Sequence, residues 1–290
     1  MGRRYRIPVV SDLHGNCVHE GRLRSFINRH TAHLSDTTIA VADTVNDTYL
    51  DHIIRPIKNQ RHQHYACNNL VVIQNGIDAH ALRQQAQINP LTRPELGIPE
   101  HAFVVGSVGR LEPIKSYDVL LTAFARLCSR TQSPRPLKLV LVGSGSQLEA
   151  LRSLAQSQDI ASHVIFAGEQ PEAWRFYPLF DCFALSSQSE GISLALLEAL
   201  CCGIPVITTH EHHHHDVITD GTHGFLVPPG DIHPLMRALE TLYQHPEKAA
   251  AMGNAGRMLI DEKFSIDRVI NQYRAIFLKA YKNSTQKESL

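Results

Sequence analysis

Short apolar runs alternate along the chain with amphipathic stretches of helical spacing. The apolar runs predict strands at residues 7–10, 38–41, 70–73, 103–108, 137–142, 164–166, 182–185, 204–207 and 224–227. The amphipathic stretches predict helices at 118–127, 147–155 and 194–200, and a helical tail from 232 to about 281. Continuous apolar strands that alternate with helices indicate a parallel, doubly wound α/β sheet. In such sheets ligands bind at the carboxyl ends of the strands, so we look for chemistry in the loops that follow them.

One stretch interrupts this alternation. Residues 82–100 are polar and hold three prolines, Pro90, Pro94 and Pro99. Prolines disfavour regular structure, so this stretch is predicted to be the linker between two domains.

Bulk composition narrows the function classes. The 28 basic residues balance the 28 acidic ones, which argues against a nucleic-acid partner. The six cysteines form no C-x-x-C pair, and neither a membrane-spanning run nor a secretion signal is seen, so a reducing, cytoplasmic location is expected. The basic start MGRRYR is read as a solvated terminus, with peripheral contact to a membrane surface as the alternative.

The segment SSQSEGISLALLEALCCGIPVI carries the main candidate chemistry. Glu190 lies in the loop after the strand at 182–185, and Glu198 lies in the apolar helix that follows. The amino end of that helix suits a phosphate or a sugar hydroxyl, and a carboxylate in an apolar helix needs hydrogen-bond partners that ligand hydroxyls can supply. Taken alone, both glutamates could equally be surface residues.

The sequence around these glutamates resembles the E-x7-E motif of the family-4 retaining glycosyltransferases, which have the GT-B fold. GSVGRLEPIKSYDVLLTAFARL resembles the G-R-L-x-x-x-K loop of that family, and further similar segments are IPVVSDLHG, LVVIQNGID, LVLVGSGSQLEALRSLA, VIFAGEQ and DGTHGFLVPPGD. The resemblance implies two Rossmann-like domains: a partial, acceptor-side domain at 1–84 and a donor-binding domain at 85–265. A C-terminal helix and tail would occupy 266–290.

The resemblance also implies roles for individual residues. Arg110 and Lys115 match the two cations that hold the donor diphosphate, Glu198 the carboxylate that binds the ribose, and Glu190 the one that contacts the donor sugar. The predicted cradle and loop positions are Gly106, Gly109, the G-x-G turn Gly143-Ser144-Gly145, the base-side pair Glu169 and Gln170, the N–H groups of Gly191, Ile192 and Ser193, and His14 across the cleft.

The resemblance implies transfer of a hexosyl group, with retention, from a UDP- or GDP-sugar to a glycan or lipid-linked acceptor, without a cofactor or metal. Family members carry about a hundred further residues before IPVVSDLHG, so the N-terminal domain is expected to be incomplete. Three alternatives stay open: a catalytically silent donor-binding module, one half of a split enzyme complemented by an N-terminal chain, and a sugar-nucleotide epimerase of related architecture. The histidines His212 to His215 lie in a loop that reads roughly G-G-x-P-E in the family, with His212 and His213 at the glycine positions and Asp216 at the glutamate position. They are interpreted as a variant loop, with a metal site as the alternative.

Overall fold

The computed structural model describes residues 9–13, 37–40, 70–131, 135–189, 192–210 and 217–286. Contacts between residues divide the chain into two compact units. The first comprises the described parts of Met1–Gly76, Glu190–Ile192 and Ile266–Leu290, and the second comprises those of Ile77–Ser189 and Ser193–Ser265. The domain limits inferred from the sequence stay a prediction; the contacts place the first join eight residues earlier, after Gly76 rather than after residue 84.

The described strands form two parallel sheets. They are β1 (Val10–Leu13), β2 (Thr37–Ala40), β3 (Leu70–Val72), β4 (Phe103–Val108), β5 (Leu137–Val142), β6 (Val164–Gly168), β7 (Cys182–Leu185), β8 (Val206–Thr209) and β9 (Gly224–Val227). The first unit holds the order β1-β2-β3, and the second holds β6-β5-β4-β7-β8-β9. The predicted parallel α/β sheet is therefore observed in both units.

The strand order of the second sheet predicts the position of a ligand crevice. The chain builds outward from β4 through β5 to β6 and then returns to the other side of β4 to add β7. At such a reversal the connections leave the sheet on opposite faces, so a crevice opens at the carboxyl ends of the two central strands. The loops that follow β4 and β7 flank this crevice.

The strand limits agree closely with the apolar runs, and the shifts have local causes. The strand at 204–207 was expected to begin two residues before the observed β8. Pro205 has no N–H with which to join a ladder, although its carbonyl oxygen accepts a hydrogen bond from Phe183 N at 3.0 Å. The apolar run at 7–10 begins outside the described residues, and β1 begins at its last residue.

Seven helices lie in the described residues. They are α1 (Ala79–Ile88), α2 (Tyr117–Arg130), α3 (Leu148–Ser157), α4 (Leu194–Cys201), α5 (Ile232–Gln244), α6 (Pro246–Lys263) and α7 (Ile266–Gln286). The tail predicted as helical thus consists of three helices. α5 ends at the residue before His245, and Pro246 begins α6 at a position where its missing N–H costs nothing.

The prediction of a linker is wrong for its first part, because residues 82–88 form most of α1. Asp78 caps this helix by accepting a hydrogen bond from Ala81 N at 2.8 Å. Arg83 of α1 forms a two-point ion pair with Asp261 of α6, and the Cys201 thiol of α4 lies 3.5 Å from Ala79 O. The hydrophilic residues of this stretch are the solvent face of a helix that packs within the second unit.

The main core of the second unit lies between its sheet and the helices that follow the strands. Leu120 and Phe124 of α2, Leu139 of β5 and Leu239 and Leu242 of α5 have no exposed surface. Burying such side chains is the dominant contribution to the stability of a fold. Among the described helices, none combines the length and the apolar composition that a membrane crossing requires.

Candidate functional site

The loops that follow β4, β5 and β6 are joined to one another through their backbones. Gly109 N donates to Val142 O at 2.9 Å, and Leu111 N donates to Ser144 O at 2.8 Å. Gly143 N donates to Gly168 O at 2.7 Å. The carboxyl ends of the three strands are therefore hydrogen-bonded into one platform.

Two glycines make this platform close-packed. A Cβ atom at Gly143 would overlap Gly109 O, and a Cβ atom at Gly145 would overlap Leu111 O. Gly143 also has φ +138°, which disfavours any residue with a side chain. The contacts explain the G-x-G spacing as a tight turn that lets two loops touch.

The predicted cations lie on the loop after β4. Arg110 is exposed, and Lys115 ends a single 3₁₀ turn, Pro113–Lys115. The Lys115 ammonium lies 4.0 Å from the point where a Cβ atom of Gly109 would stand, so its side chain folds back over that glycine. Two cations beside a carboxyl end of the sheet form an environment suited to an anionic group.

The loop after β7 holds the cation loop in place. Ser186 is buried, and its Oγ lies 2.9 Å from Lys115 O and 2.8 Å from Ser116 O. Gln188 N donates to Ile114 O at 2.8 Å. Ser116 has φ +48°, a left-handed conformation that a residue with a side chain adopts only when its surroundings impose it. These bonds supply that constraint.

Gly106 lies in a different environment from the one expected. It was predicted to let a phosphate approach the backbone, but it lies inside β4 and is buried. A Cβ atom there would overlap the ring of Phe180. The expectation for Gly106 is therefore wrong: the missing side chain makes room for an aromatic ring in the core.

Glu198 lies in α4 and accepts a hydrogen bond from the buried phenol of Tyr177. The Tyr177 hydroxyl donates to Glu198 Oε2 at 2.6 Å, and Tyr177 is fully buried. Burial raises the pKa of Glu198 above its ordinary value, and the hydrogen bond from Tyr177 partly offsets this. Glu198 is thus half-buried and hydrogen-bonded to a tyrosine that the sequence did not single out, and its role toward a ligand stays a prediction.

The predicted cradle is described only in part. Ser193 is buried and stands at the N-cap of α4, with an extended backbone and no capping bond from its side chain. Ile192 belongs to the first unit, where its carbonyl oxygen accepts a bond from Asn75 Nδ2 at 3.2 Å. Glu190, Gly191 and His14 lie outside the described residues.

The base-side pair is exposed and locally bonded. Glu169 Oε2 accepts from Ser144 Oγ at 3.1 Å, and Gln170 Nε2 donates to Ala167 O at 2.7 Å. A second carboxylate, which sequence reasoning missed, also binds the G-x-G turn. Glu112 accepts from Ser146 Oγ at 2.7 Å and from Ser146 N at 3.1 Å, and these bonds lower the pKa of Glu112. Its place within the motif R-L-x-x-x-K was the available signal.

Metal-binding clusters are not found in the part of the chain that the structure describes. His212 to His215, together with Asp216, lie outside it, so their interpretation as a variant loop stays a prediction. His210 is exposed, and its backbone N–H donates to Val227 O at 2.8 Å.

Comparison with known proteins places this arrangement in a family. The family model described as "Glycosyl transferases group 1" matches residues 89–258, which is more than half of the chain and includes β4 to β9. The chain belongs to this glycosyltransferase family. The predicted enzyme class is therefore confirmed at the level of the family.

Relatives of this glycosyltransferase have varied names. The chain is 26% identical over 279 residues to the N-acetyl-alpha-D-glucosaminyl L-malate synthase of Bacillus anthracis. The match covers 94% of this chain and 68% of that protein. The chain is 32% identical over 198 residues to a D-inositol 3-phosphate glycosyltransferase of Gordonia bronchialis, covering 66% of this chain and 43% of the relative. The chain thus spans between less than half and about two thirds of the length of these relatives.

Solved structures support the fold. The Anabaena protein HepE, crystallised with UDP, has a TM-score of 0.79 and 22% identity, with 96% of this chain and 74% of that one covered. A sucrose-phosphate synthase from Thermosynechococcus elongatus has a TM-score of 0.76 and 21% identity, with coverage of 94% and 68%. The predicted α/β fold of the GT-B type is confirmed by these neighbours.

Proposed function

We propose that this chain binds a nucleotide-diphosphate sugar at the carboxyl ends of β4 and β7 and supplies the donor side of a retaining hexosyl transfer. The acceptor is a glycan or a lipid-linked saccharide. The observation that carries the proposal is the placement of Arg110 and Lys115 at the point where the strand order reverses. That is where parallel sheets bind nucleotides.

Each described residue has a defined task in this proposal. Arg110 and Lys115 neutralise the diphosphate while the bond to the sugar breaks, which stabilises the charge that develops on the leaving group. Glu198 accepts hydrogen bonds from the ribose, and Glu169 and Gln170 border the base. The two cations stand in for the divalent ion that other transferases use, so no metal is invoked.

Three observations support the assignment of the donor. HepE was crystallised with UDP and also with UDP-glucose, and relatives include a mannosyltransferase of Mycolicibacterium smegmatis whose name specifies GDP-mannose. UDP and GDP are therefore the first nucleotides to test. The names of the relatives differ in both sugar and acceptor, so the proposal names the class of each.

The decisive experiment is calorimetric titration of the whole chain with UDP, GDP and ADP. We expect one nucleotide to bind, and we expect Arg110→Ala, Lys115→Ala and Glu198→Ala each to weaken it by about tenfold or more, which is about 1.4 kcal/mol. Arg237→Ala, which removes an exposed arginine of α5, is the matched control and should leave affinity unchanged. A folded chain that binds none of the three nucleotides would contradict the proposal.

A donor-binding module without transferase activity is the second candidate. Arg110, Lys115, Glu169, Gln170 and Glu198 all lie in the second unit and would be sufficient to bind a nucleotide. Release of UDP or GDP from the sugar nucleotide in the presence of an acceptor distinguishes the two functions. Binding without release, restored to release by a separate N-terminal chain, would identify one half of a split enzyme.

A further inference from the structure

A buried tyrosine is aimed at the carboxylate that the proposed function uses. Tyr177 begins the 3₁₀ turn Tyr177–Leu179, which leads into β7, and Glu198 lies on α4, which follows β7. The Tyr177 hydroxyl lies 2.6 Å from Glu198 Oε2, a distance typical of a strong hydrogen bond to a carboxylate. The contact joins two separate elements on either side of β7 and is not a consequence of local helix geometry.

The phenol is held firmly in position. Its ring is fully buried, packs at 5.9 Å against Phe180 in an edge-on arrangement, and lies 6.0 Å from the ring of Phe183. The hydroxyl also lies 3.4 Å from Ala195 O, at the limit of a hydrogen bond. Because a hydroxyl has one proton, the shorter contact to Glu198 receives it.

The carboxylate depends on this bond. Among the described residues, the Tyr177 hydroxyl is the one side-chain hydrogen-bond donor to Glu198. Burial raises the pKa of Tyr177 well above its ordinary value, so the phenol remains a donor at physiological pH. One carboxylate oxygen is thus bonded within the protein, and the acceptor capacity of the other is available to a ligand.

We propose that Tyr177 is a positioning residue for nucleotide recognition: it holds the Glu198 carboxylate in the orientation that accepts the ribose hydroxyls. This inference rests on the proposed function, because it takes the ligand of Glu198 to be a ribose. A free glutamate side chain would lose rotamer freedom when the nucleotide binds. Here that freedom is lost during folding, so affinity for the ribose increases.

The test combines one variant with two ligands. We would titrate the wild-type chain and Tyr177→Phe with UDP and with 2′-deoxy-UDP, or with the corresponding guanosine nucleotides where GDP binds. We expect Tyr177→Phe to weaken UDP binding by about five- to tenfold, because the Glu198 side chain must then lose its rotamer freedom when the nucleotide binds. Binding of 2′-deoxy-UDP should weaken by less than about twofold, because its contact with Glu198 is already impaired.

The matched control removes a hydroxyl from another buried tyrosine. Tyr243 donates to Arg135 O at 3.1 Å and is distant in sequence from the proposed site. Tyr243→Phe should leave both affinities and their ratio unchanged. In Glu198→Gln the ribose preference should be reduced as it is in Tyr177→Phe, and the double variant should show little further loss.

The outcomes separate the inference from the function. If the wild-type chain binds UDP and Tyr177→Phe weakens both ligands equally, Tyr177 has only a structural role and the inference is overturned. If the folded wild-type chain binds no nucleotide, the proposed function fails and the inference fails with it. A second measurement needs no variant: the proton resonance of the Tyr177 hydroxyl should persist when UDP binds, and its loss would also overturn the inference.

Discussion

At the scale of the residue, the same residue type serves different purposes. Gly143 and Gly145 allow two loops to touch at the carboxyl edge of the sheet, whereas Gly106 makes room for the Phe180 ring inside it. In the sequence these glycines all stand at or just after an apolar run. Only the neighbour that each one faces tells them apart.

The packing of Gly106 predicts a coupled stability effect. Gly106→Ala should lower the free energy of unfolding by about 1–3 kcal/mol, because its methyl group would displace the buried Phe180 ring. In a Phe180→Ala background the same change should cost much less. Urea denaturation of the four chains measures the coupling. An equal cost in both backgrounds would show that the ring is not the obstacle.

Glu198 predicts a pH dependence of stability. Burial is the largest cause of its raised pKa, whose ordinary value is 4.5, so the folded chain holds the proton more tightly than the unfolded chain. Stability supplied by the protonated form is complete below the unfolded pKa and is lost as pH rises through the folded pKa. The stability of the wild-type chain relative to Glu198→Gln should therefore fall as pH rises above the ordinary pKa of 4.5.

The control for this pH dependence is an exposed glutamate. Glu100 is exposed, and Glu100→Gln makes the same chemical change at the surface, so its pH series is the baseline with which Glu198→Gln is compared. Urea denaturation at a series of pH values measures both differences. If the stability of wild type relative to Glu198→Gln rises with pH, or if its slope equals that for Glu100→Gln, burial does not raise the pKa of Glu198.

At the scale of the element, the loop after β4 depends on the loop after β7. The left-handed Ser116 and the carbonyl of Lys115 are both within hydrogen-bond reach of the Ser186 hydroxyl. The cations and the serine that anchors them come from different loops on either side of the strand reversal. Their proximity is a property of the strand order.

Removal of that anchor should affect both stability and binding. Ser186→Ala removes a buried hydroxyl that lies within hydrogen-bond distance of Lys115 O and Ser116 O, so we expect a loss of about 0.5–1.5 kcal/mol in the free energy of unfolding. Nucleotide affinity should also fall, because Lys115 is displaced with its loop. The matched control is Ser153→Ala on α3, whose hydroxyl donates to Glu149 O at 2.9 Å on the surface. If Ser186→Ala lowers stability without changing nucleotide affinity, Ser186 has no effect on the binding site.

At the scale of the whole molecule, α1 shows why a linker is hard to recognise from composition. Its exposed face is polar, and prolines follow it, so the sequence predicts a linker. In the structure it is tied to α6 by the Arg83–Asp261 ion pair, and Ile77 N donates to Phe264 O at 2.9 Å. The contacts therefore group residues 77–84 with the second unit.

Two fragments test this boundary. We expect the fragment 77–265 to unfold cooperatively and to be more stable than the fragment 85–265, which lacks Ile77, Arg83 and more than half of α1. Loss of packing between α1 and the rest of the unit is the physical reason. Urea denaturation followed by circular dichroism measures both. Equal stability of the two fragments would favour the boundary predicted from the sequence.

The sequence by itself determined the class of the fold and most of its strands. Apolar runs such as those at 103–108 and 137–142 are long enough to be buried on both sides, and this local property survives in β4 and β5. The motifs around Arg110, Lys115 and Glu198 also indicated the family, because the spacing of residues within a loop or helix is preserved when the chain folds. These features depend on neighbours along the chain.

Only the tertiary structure decided which residues face one another. Nothing in the sequence pairs Tyr177 with Glu198, Ser186 with Lys115, or Gly106 with Phe180. Each pair joins elements that the strand order brings together, and hydrogen bonds and packing contacts extend over only a few ångströms. The sequence therefore identified the chemical groups of the candidate site, and the fold determined their partners.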